Sequence, residues 1–384
     1  MQVADFINGK SGTLVQTARG CLAYIPNPLE PQIDLSLSIV KELSAADRAL
    51  SELAGIARTL PNPHLLIGPF LRREAVLSSR IEGTQASFSD LLFFEAARLR
   101  EKEVPDVREV SNYVQALEYG LARLSTLPVS LRLIREIHQR LMAGVRGESQ
   151  TPGEFRRSQN WIGPAGCTLS DATFVPPPVE EMHNALDGFE KYLHEPSEMP
   201  ALIRLSLIHY QFETIHPFLD GNGRVGRLLI SLLLCAEKLL PQPLLYLSAY
   251  FERYRDDYYR HLLAVSQKGA WEQWIKYFLK AVAIQSTDAI QRIDQLLTLR
   301  QDYRTRMQQA RASALLLQLI EDLFSYPAIT NRAVSERMNI TPRSAQLNID
   351  KLVKRGIIRE ATGRQRNRVY MATEIVGIIE RQET

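Results

Sequence analysis

Residues 216 to 227 bring together an imidazole (His216), a carboxylate (Asp220), a Gly221-Asn222-Gly223 turn and two guanidinium groups, Arg224 and Arg227. This set can hold a magnesium polyphosphate and deprotonate a hydroxyl beside it. A neutral imidazole is the side chain best placed to take a proton near pH 7. Asp220 supplies the hard oxygen that Mg²⁺ uses together with phosphate oxygens. Gly221 and Gly223 let the backbone turn tightly and bring bare N–H groups close to a ligand. Arg224 and Arg227 are three apart, so they share one face of a helical turn and both forks can reach one polyphosphate.

Two helices must position these groups. Residues 201 to 215 are apolar at helical spacing (Leu202, Leu205, Ile208, Phe212, Ile215), and Pro217, lacking an N–H, ends that helix at His216. A second helix, from Arg224 to about Lys238, is apolar nearly all round. Its N-terminus turns free N–H groups and positive dipole toward the turn, a seat for phosphate. Other readings fit less well. Gly221 to Gly226 matches G-x-G-x-x-G, but a dinucleotide fold needs a strand before it and the sequence there reads as helix. A P-loop needs Gly-Lys-Ser/Thr, which is absent. A plain glycine-rich turn would not explain the convergence of His, Asp, Asn and two Arg. His209 lies seven residues before His216 with no further ligand nearby, so it reads as a packed core residue and not a zinc ligand.

The 384 residues suffice for two or three domains, and 45% hydrophobic with 23% charged residues describes an ordinary globular chain of net charge +3. Cys21, Cys167 and Cys235 are few, odd in number and far apart, which suits a reducing compartment. The first residues lack a charged, apolar leader pattern, and no stretch approaches a membrane span. The expectation is a cytoplasmic protein with no membrane contact. Residues 1 to about 32 read as irregular, broken by Pro26, Pro28 and Pro31. Helical patterns follow at 35–60, 64–82, 88–102, 107–124, 130–143, 179–194, 201–215, 224–239, 248–267 and 271–310. Residues 160 to 178 interrupt them with a short hairpin whose edge is open to solvent.

Ser78 and Glu82 share a helix face, with Glu82 in the last turn before Gly83, a suitable C′ residue. A carboxylate at that negative helix end needs a cation to offset it. Ser79 to Glu82 also fits the capping box of a new helix, although Gly83 behind it makes a poor start.

The stretch 216–227 resembles the signature of the Fic family, filling every invariant position of His-Pro-Phe-x-Asp-Gly-Asn-Gly-Arg-x-x-Arg. Ser78, Glu82 and Gly83 resemble that family's inhibitory motif placed before the core, and Gly153 to Gln159 resembles the approach to its flap. The resemblance covers about residues 30 to 285. It implies an all-α fold with a small β-hairpin flap, and transfer of AMP from ATP to a Ser, Thr or Tyr hydroxyl of a target protein or of the chain itself. It makes His216 the base and Asp220 the Mg²⁺ ligand. Gly221, Asn222, Gly223, Arg224, Val225, Gly226 and Arg227 would bind ATP, with Tyr258 stacking on adenine; plain helix packing is the alternative role for Tyr258 and Tyr259. Phe218 packs inward. Glu82 would hold Arg227 away from the γ-phosphate, and the target would dock at the 160–178 flap. De-AMPylation is an alternative, and a homodimer is compatible with the resemblance.

The tail changes character. A glutamine-rich helix from 286 to 311 reads as a connector. Helices then fit 315–324, 330–338 with Thr330 as cap, and 341–355 with Thr341 as cap and Pro342 at N1. Strands at 357–359 and 367–371 around Gly363 complete a winged helix-turn-helix pattern. Between 341 and 371, eight basic residues face two acids, a local charge of +6 that suits DNA phosphates, although such modules also bind proteins. A DNA-binding regulator with a nucleotide-sensing core is thus a second class of function. The expected divisions are 1–110 (inhibitory region), 111–285 (catalytic core), 286–312 (linker) and 313–384 (winged helix).

Overall fold

The computed structural model describes residues 1, 3–7, 10–17, 20–60, 64–97, 105–164, 166–308 and 313–381. Helices dominate. In chain order they begin with a hairpin, β1 (Gly12–Gln16) and β2 (Leu22–Pro26), and continue with α1 (Leu37–Thr59), α2 (His64–Ile81), α3 (Phe88–Ala97), α4 (Pro105–Arg123) and α5 (Leu131–Leu141). Then come α6 (Val179–His194), α7 (Ala201–Ile215), α8 (Asn222–Ala236), α9 (Ser248–Arg253), α10 (Arg255–Lys268) and α11 (Trp271–Gln308). The tail holds α12 (Ala314–Ser325), β3 (Ala328–Thr330), α13 (Asn331–Met338), α14 (Pro342–Lys354), β4 (Arg359–Glu360), β5 (Val369–Met371) and α15 (Thr373–Glu380). The expected all-α class holds. The helix ends expected at 102 and at 310–311 fall outside the described residues.

The apolar pattern of the two motif helices explains their place. With apolar residues on every side, α7 and α8 are buried along nearly their whole length, and they pack against each other at the centre of the core. Among the described residues no helix is long and apolar enough to cross a membrane. Polar caps set the boundaries elsewhere: Ser36, Ser130 and Ser313 accept from backbone N–H groups at the starts of α1, α5 and α12. Thr330 and Thr341 do the same for α13 and α14, as their sequence positions predict.

Four expectations need correction. The N-terminal region is not irregular, since β1 and β2 pair antiparallel from Gly12–Pro26 to Gln16–Leu22. Thr13, Val15, Tyr24 and Ile25 favour strands, and the three prolines all fall at or beyond the end of β2. The flap is less than a hairpin. Its legs meet in one antiparallel bridge, with Ile162 and Phe174 exchanging bonds of 2.8 and 3.0 Å. Pro176, Pro177 and Pro178 have no N–H with which to extend it. One edge of the flap is not open, because the Tyr24 N–H of β2 donates to Val175 O at 2.9 Å. Finally, 248–267 is two helices, broken where Tyr254 leaves helical dihedrals and packs its ring on Tyr250.

The tail follows its expected order, with β3 as an addition that makes a three-stranded sheet β3-β5-β4. It is joined to the rest by one continuous apolar core. Leu316, Leu319, Ile320 and Leu323 of α12 are buried, and α12 packs on α2 and α11. The connector helix is part of this packing, with Ile293, Leu296, Tyr303 and Met307 buried.

Candidate active site

His216 caps α7 in the left-handed region, φ 50° and ψ 61°. Its Nδ1 lies 3.1 Å from Glu213 O. A carbonyl only accepts, so Nδ1 carries the proton and Nε2 keeps its lone pair. Burial pushes the imidazole pKa down to about 4, so the ring is neutral at pH 7. An unprotonated Nε2 is what a general base requires.

The loop after His216 is fixed by side chains from several elements. Asn222 clips it from within: its Oδ1 accepts from Phe218 N and its Nδ2 donates to Phe218 O, both at 2.8 Å. Asn160, at the base of the flap, donates to His216 O (3.1 Å) and Phe218 O (2.8 Å). Arg156, fully buried, donates Nε to His216 O (3.0 Å) and Nη2 to Pro177 O (2.6 Å), tying loop to flap. Phe218 points inward and stacks on His138 of α5, ring centroids 3.7 Å apart. The Gly153 N–H donates to His138 Nδ1, so His138 Nε2–H donates to Asp220 O at 3.0 Å.

Gly221, in the left-handed region at φ 80°, precedes α8, whose first residue is Asn222. The Gly221 N–H donates to Asp220 Oδ1 at 2.6 Å. Asp220 Oδ2 has no hydrogen-bond partner among the described residues and lies against Gly147, where a Cβ would come within 2.7 Å. One accessible carboxylate oxygen beside a helix N-terminus fits a Mg²⁺ ion shared with phosphates. No cluster of three or more acidic, His or Cys ligands occurs among the described residues.

The two arginines are both occupied. Arg224 is buried and pairs with Glu109 of α4 at 3.3 Å and with Asp220 at 3.4 Å, while its Nε has no partner. Arg227 donates Nη2 to Glu82 Oε1 at 2.6 Å and Nε to Ser78 Oγ at 2.9 Å. Burial raises the Glu82 pKa, but the charge and hydrogen bond of Arg227 outweigh it and leave Glu82 below its ordinary value. Gly223 makes room for this pair, since a Cβ there would collide with Glu82 Oε1. Helix α2 ends at Ile81 and Gly83 follows at φ 97°, so the capping-box reading fails and Ser79 sits inside α2. Glu74, four residues before Ser78, accepts from Tyr113 and Ser248 in the same buried layer, and burial raises it to about 7.

Tyr258 is not placed to stack on a ligand. It is 1% exposed, its ring lies on Phe251 at 4.6 Å, and its hydroxyl meets His209 Nε2 at 2.8 Å. Tyr259, next to it in α10, is 38% exposed. His209 is the expected core residue, with Nδ1 on Gly226 O at 3.2 Å.

Sequence reasoning missed His138, Glu109, Asn160 and Glu74, which reach the site from separate elements. Glu213 and Glu74 did carry a signal, standing three and four residues before His216 and Ser78 on the same helices.

The comparisons with known proteins bear on the family and the fold. Residues 40–122 match the family model described as Fic/DOC family N-terminal, and residues 128–234 match that of the Fic/DOC family. The protein adenylyltransferase Fic of Drosophila ananassae is 32% identical over 136 residues, 35% of this chain and 25% of that protein. Its Drosophila grimshawi counterpart is 28% identical over 179 residues, 46% of this chain and 33% of that protein. The chain thus spans a quarter to a third of the length of these relatives. Among solved structures, a Fic family protein from Desulfovibrio desulfuricans superposes with a TM-score of 0.58 at 16% identity, over 90% of this chain and 98% of that one. Fic-1 from C. elegans gives 0.52 at 20% identity, over 67% and 73%. At those identities the likeness concerns the fold. The chain is a Fic family protein.

Proposed function

We propose that this protein transfers AMP from ATP to a protein hydroxyl, its own included, and that Glu82 restrains the reaction. The observation that carries the reading is a neutral His216 with its Nε2 lone pair unprotonated, beside an Arg227 held by Glu82. The named activity of the Drosophila relatives supports it at the level of the family.

In the proposed reaction the hydroxyl proton passes to His216 Nε2 as the oxygen attacks the α-phosphorus. The new P–O bond forms in line with the bond that breaks, and pyrophosphate leaves. Backbone N–H groups at the start of α8 face the charge that develops on the α-phosphate. Mg²⁺ held by Asp220 would neutralise phosphate charge. Arg227, once released, would grip the γ-phosphate.

The target docks as an extended segment on the flap. Ile162 gives both backbone groups to Phe174, so the pleat turns those of Trp161 and Gly163 the other way. With the Val175 edge covered by β2, this second leg is the one that accepts a strand, and Trp161 stands exposed beside it.

The low pKa of His216 fixes the acid limb of the pH profile. The base is active when unprotonated, so kcat/KM should stay level from pH 8 to pH 6 and fall only as the pH approaches about 4. A limb centred near 6.5 would mean that the base is exposed or is another group.

The tail supports a second activity. Arg343, Lys351, Lys354, Arg355, Arg359, Arg364, Arg366 and Arg368 are all exposed on α14 and the β4–β5 region. We infer a winged helix that contacts DNA phosphates. Replacing Arg364, Arg366 and Arg368 together by Ala should lower duplex affinity and reduce the slope of log K against log salt by about 3. An unchanged slope would assign the tail to protein contacts.

A further inference from the structure

Glu213 has no side-chain part in the proton transfer assigned to His216, yet it lies in the same site. It sits on the last turn of α7, and its Oε1 is sealed from solvent without a hydrogen-bond partner. The carboxyl rests on Gly226 of α8, where any Cβ would collide with Oε1. Gly223 and Gly226, three apart on α8, therefore each make room for a carboxyl group: Glu82 over the first, Glu213 over the second. Arg227 is bonded to Glu82 and Ser78. A buried polar group left without a partner is costly, and its persistence points to a partner that arrives with a ligand.

We propose that Glu213 serves as a neutral carboxylic acid that donates a hydrogen bond to the terminal phosphate of the bound nucleotide, beside Arg227. The proposal rests on the nucleotide reading of this site. A carboxylate there would repel the phosphates, whereas the unionised acid has an O–H to give them.

The surroundings keep the acid protonated. Burial raises its pKa to about 8, with Arg227 of α8 pulling it down and Glu82 of α2 pushing it up. Tyr258 and Tyr259 of α10 and His209 and His216 of α7 complete the surroundings. Burial pushes Tyr259 to about 12, Tyr258 well above its usual value, and both imidazoles to 4 or below. None of these titrates between pH 7 and 9.5. Glu74, raised to about 7 by burial, bonds Tyr113 and Ser248 and also feels the charge of Arg227; the Glu213→Gln protein, which keeps Glu74, separates its ionisation from that of Glu213.

The test is calorimetric binding of magnesium with a non-hydrolysable ATP analogue, and of AMP, from pH 6.5 to 9.5. It uses the full chain carrying Glu82→Gly, with Glu213 intact or changed to Gln or Ala. With Glu213 intact, analogue affinity should weaken toward about tenfold per pH unit as the acid ionises, with an onset below about 8 because the Glu82 charge that helps raise Glu213 is gone from this protein. Glu213→Gln, a donor that cannot ionise, should keep the neutral-pH affinity and lose the alkaline decline. Glu213→Ala should bind several-fold more weakly at every pH, and AMP should show no decline. Level affinity up to pH 9.5 with Glu213 intact, or equal affinities for Gln and Ala at pH 7, would overturn the proposal. A decline shared by AMP would remove the terminal phosphate as acceptor and overturn it too. Failure of the Glu213-intact protein to bind either nucleotide would instead refute the nucleotide reading itself. The Gln variant is isosteric, so the result does not depend on the Ala variant folding.

Discussion

His216→Ala is expected to lower the rate of AMP transfer by about 10²–10⁴-fold, the usual contribution of a general base, while changing ATP affinity only a few-fold. The side chain that is lost carries the proton acceptor, Nε2. The backbone that shapes the phosphate loop stays, because Arg156 and Asn160 hold it through the carbonyl of residue 216 and not through the imidazole. Asn222 continues to clip Phe218 from the other side. Single-turnover rates and calorimetric binding separate the two effects. A rate within a few-fold of the parent would take the base role from His216, and a large loss of binding would mean that the ring itself shapes the pocket.

Glu82→Gly is expected to raise self-modification by about 5- to 150-fold, the range typical of a regulatory coupling within one protein. Arg227 is buried with its fork committed to Glu82 at 2.6 Å, whereas Glu82 remains a third exposed. Removing the carboxylate leaves a buried guanidinium that still bonds Ser78 but has lost its counter-charge. The γ-phosphate is the anion that replaces it. Adding Arg227→Ala should therefore return activity to little or none, so that the two changes are strongly non-additive. A double variant as active as Glu82→Gly alone would mean that Glu82 acts through some other group.

Much of this was legible in the sequence because it is local. His216, Asp220, the glycine turn and Arg227 lie within one stretch, and Pro217 and Gly221 mark the helix ends that frame it. Ser78 and Glu82 were readable as one helix face, and the need for a cation at that helix end was a matter of dipole sign. What the sequence hid is what comes from a distance. The pairing of Arg224 with Glu109 and the support of Asp220 by His138 depend on α4 and α5 packing around α8. No local pattern announces such pairs. Tyr258 misled because an aromatic at helical spacing fits a ligand pocket and a core equally, and only packing against Phe251 and His209 decides between them. The N-terminal hairpin was missed because the prolines at the end of β2 and beyond it outweighed Thr13, Val15, Tyr24 and Ile25, the β-branched and aromatic residues that precede them.

The most direct measurement is the intact mass of the Glu82→Gly protein after incubation with Mg·ATP, read alongside released pyrophosphate. The account predicts addition of AMP, one pyrophosphate released for each AMP added, and no such adduct on a Glu82→Gly/His216→Ala protein. A phosphate adduct would contradict it. So would an unmodified Glu82→Gly chain when the parent, with Glu82 in place, removes AMP from an already modified protein, because Glu82 would then act in the opposite reaction.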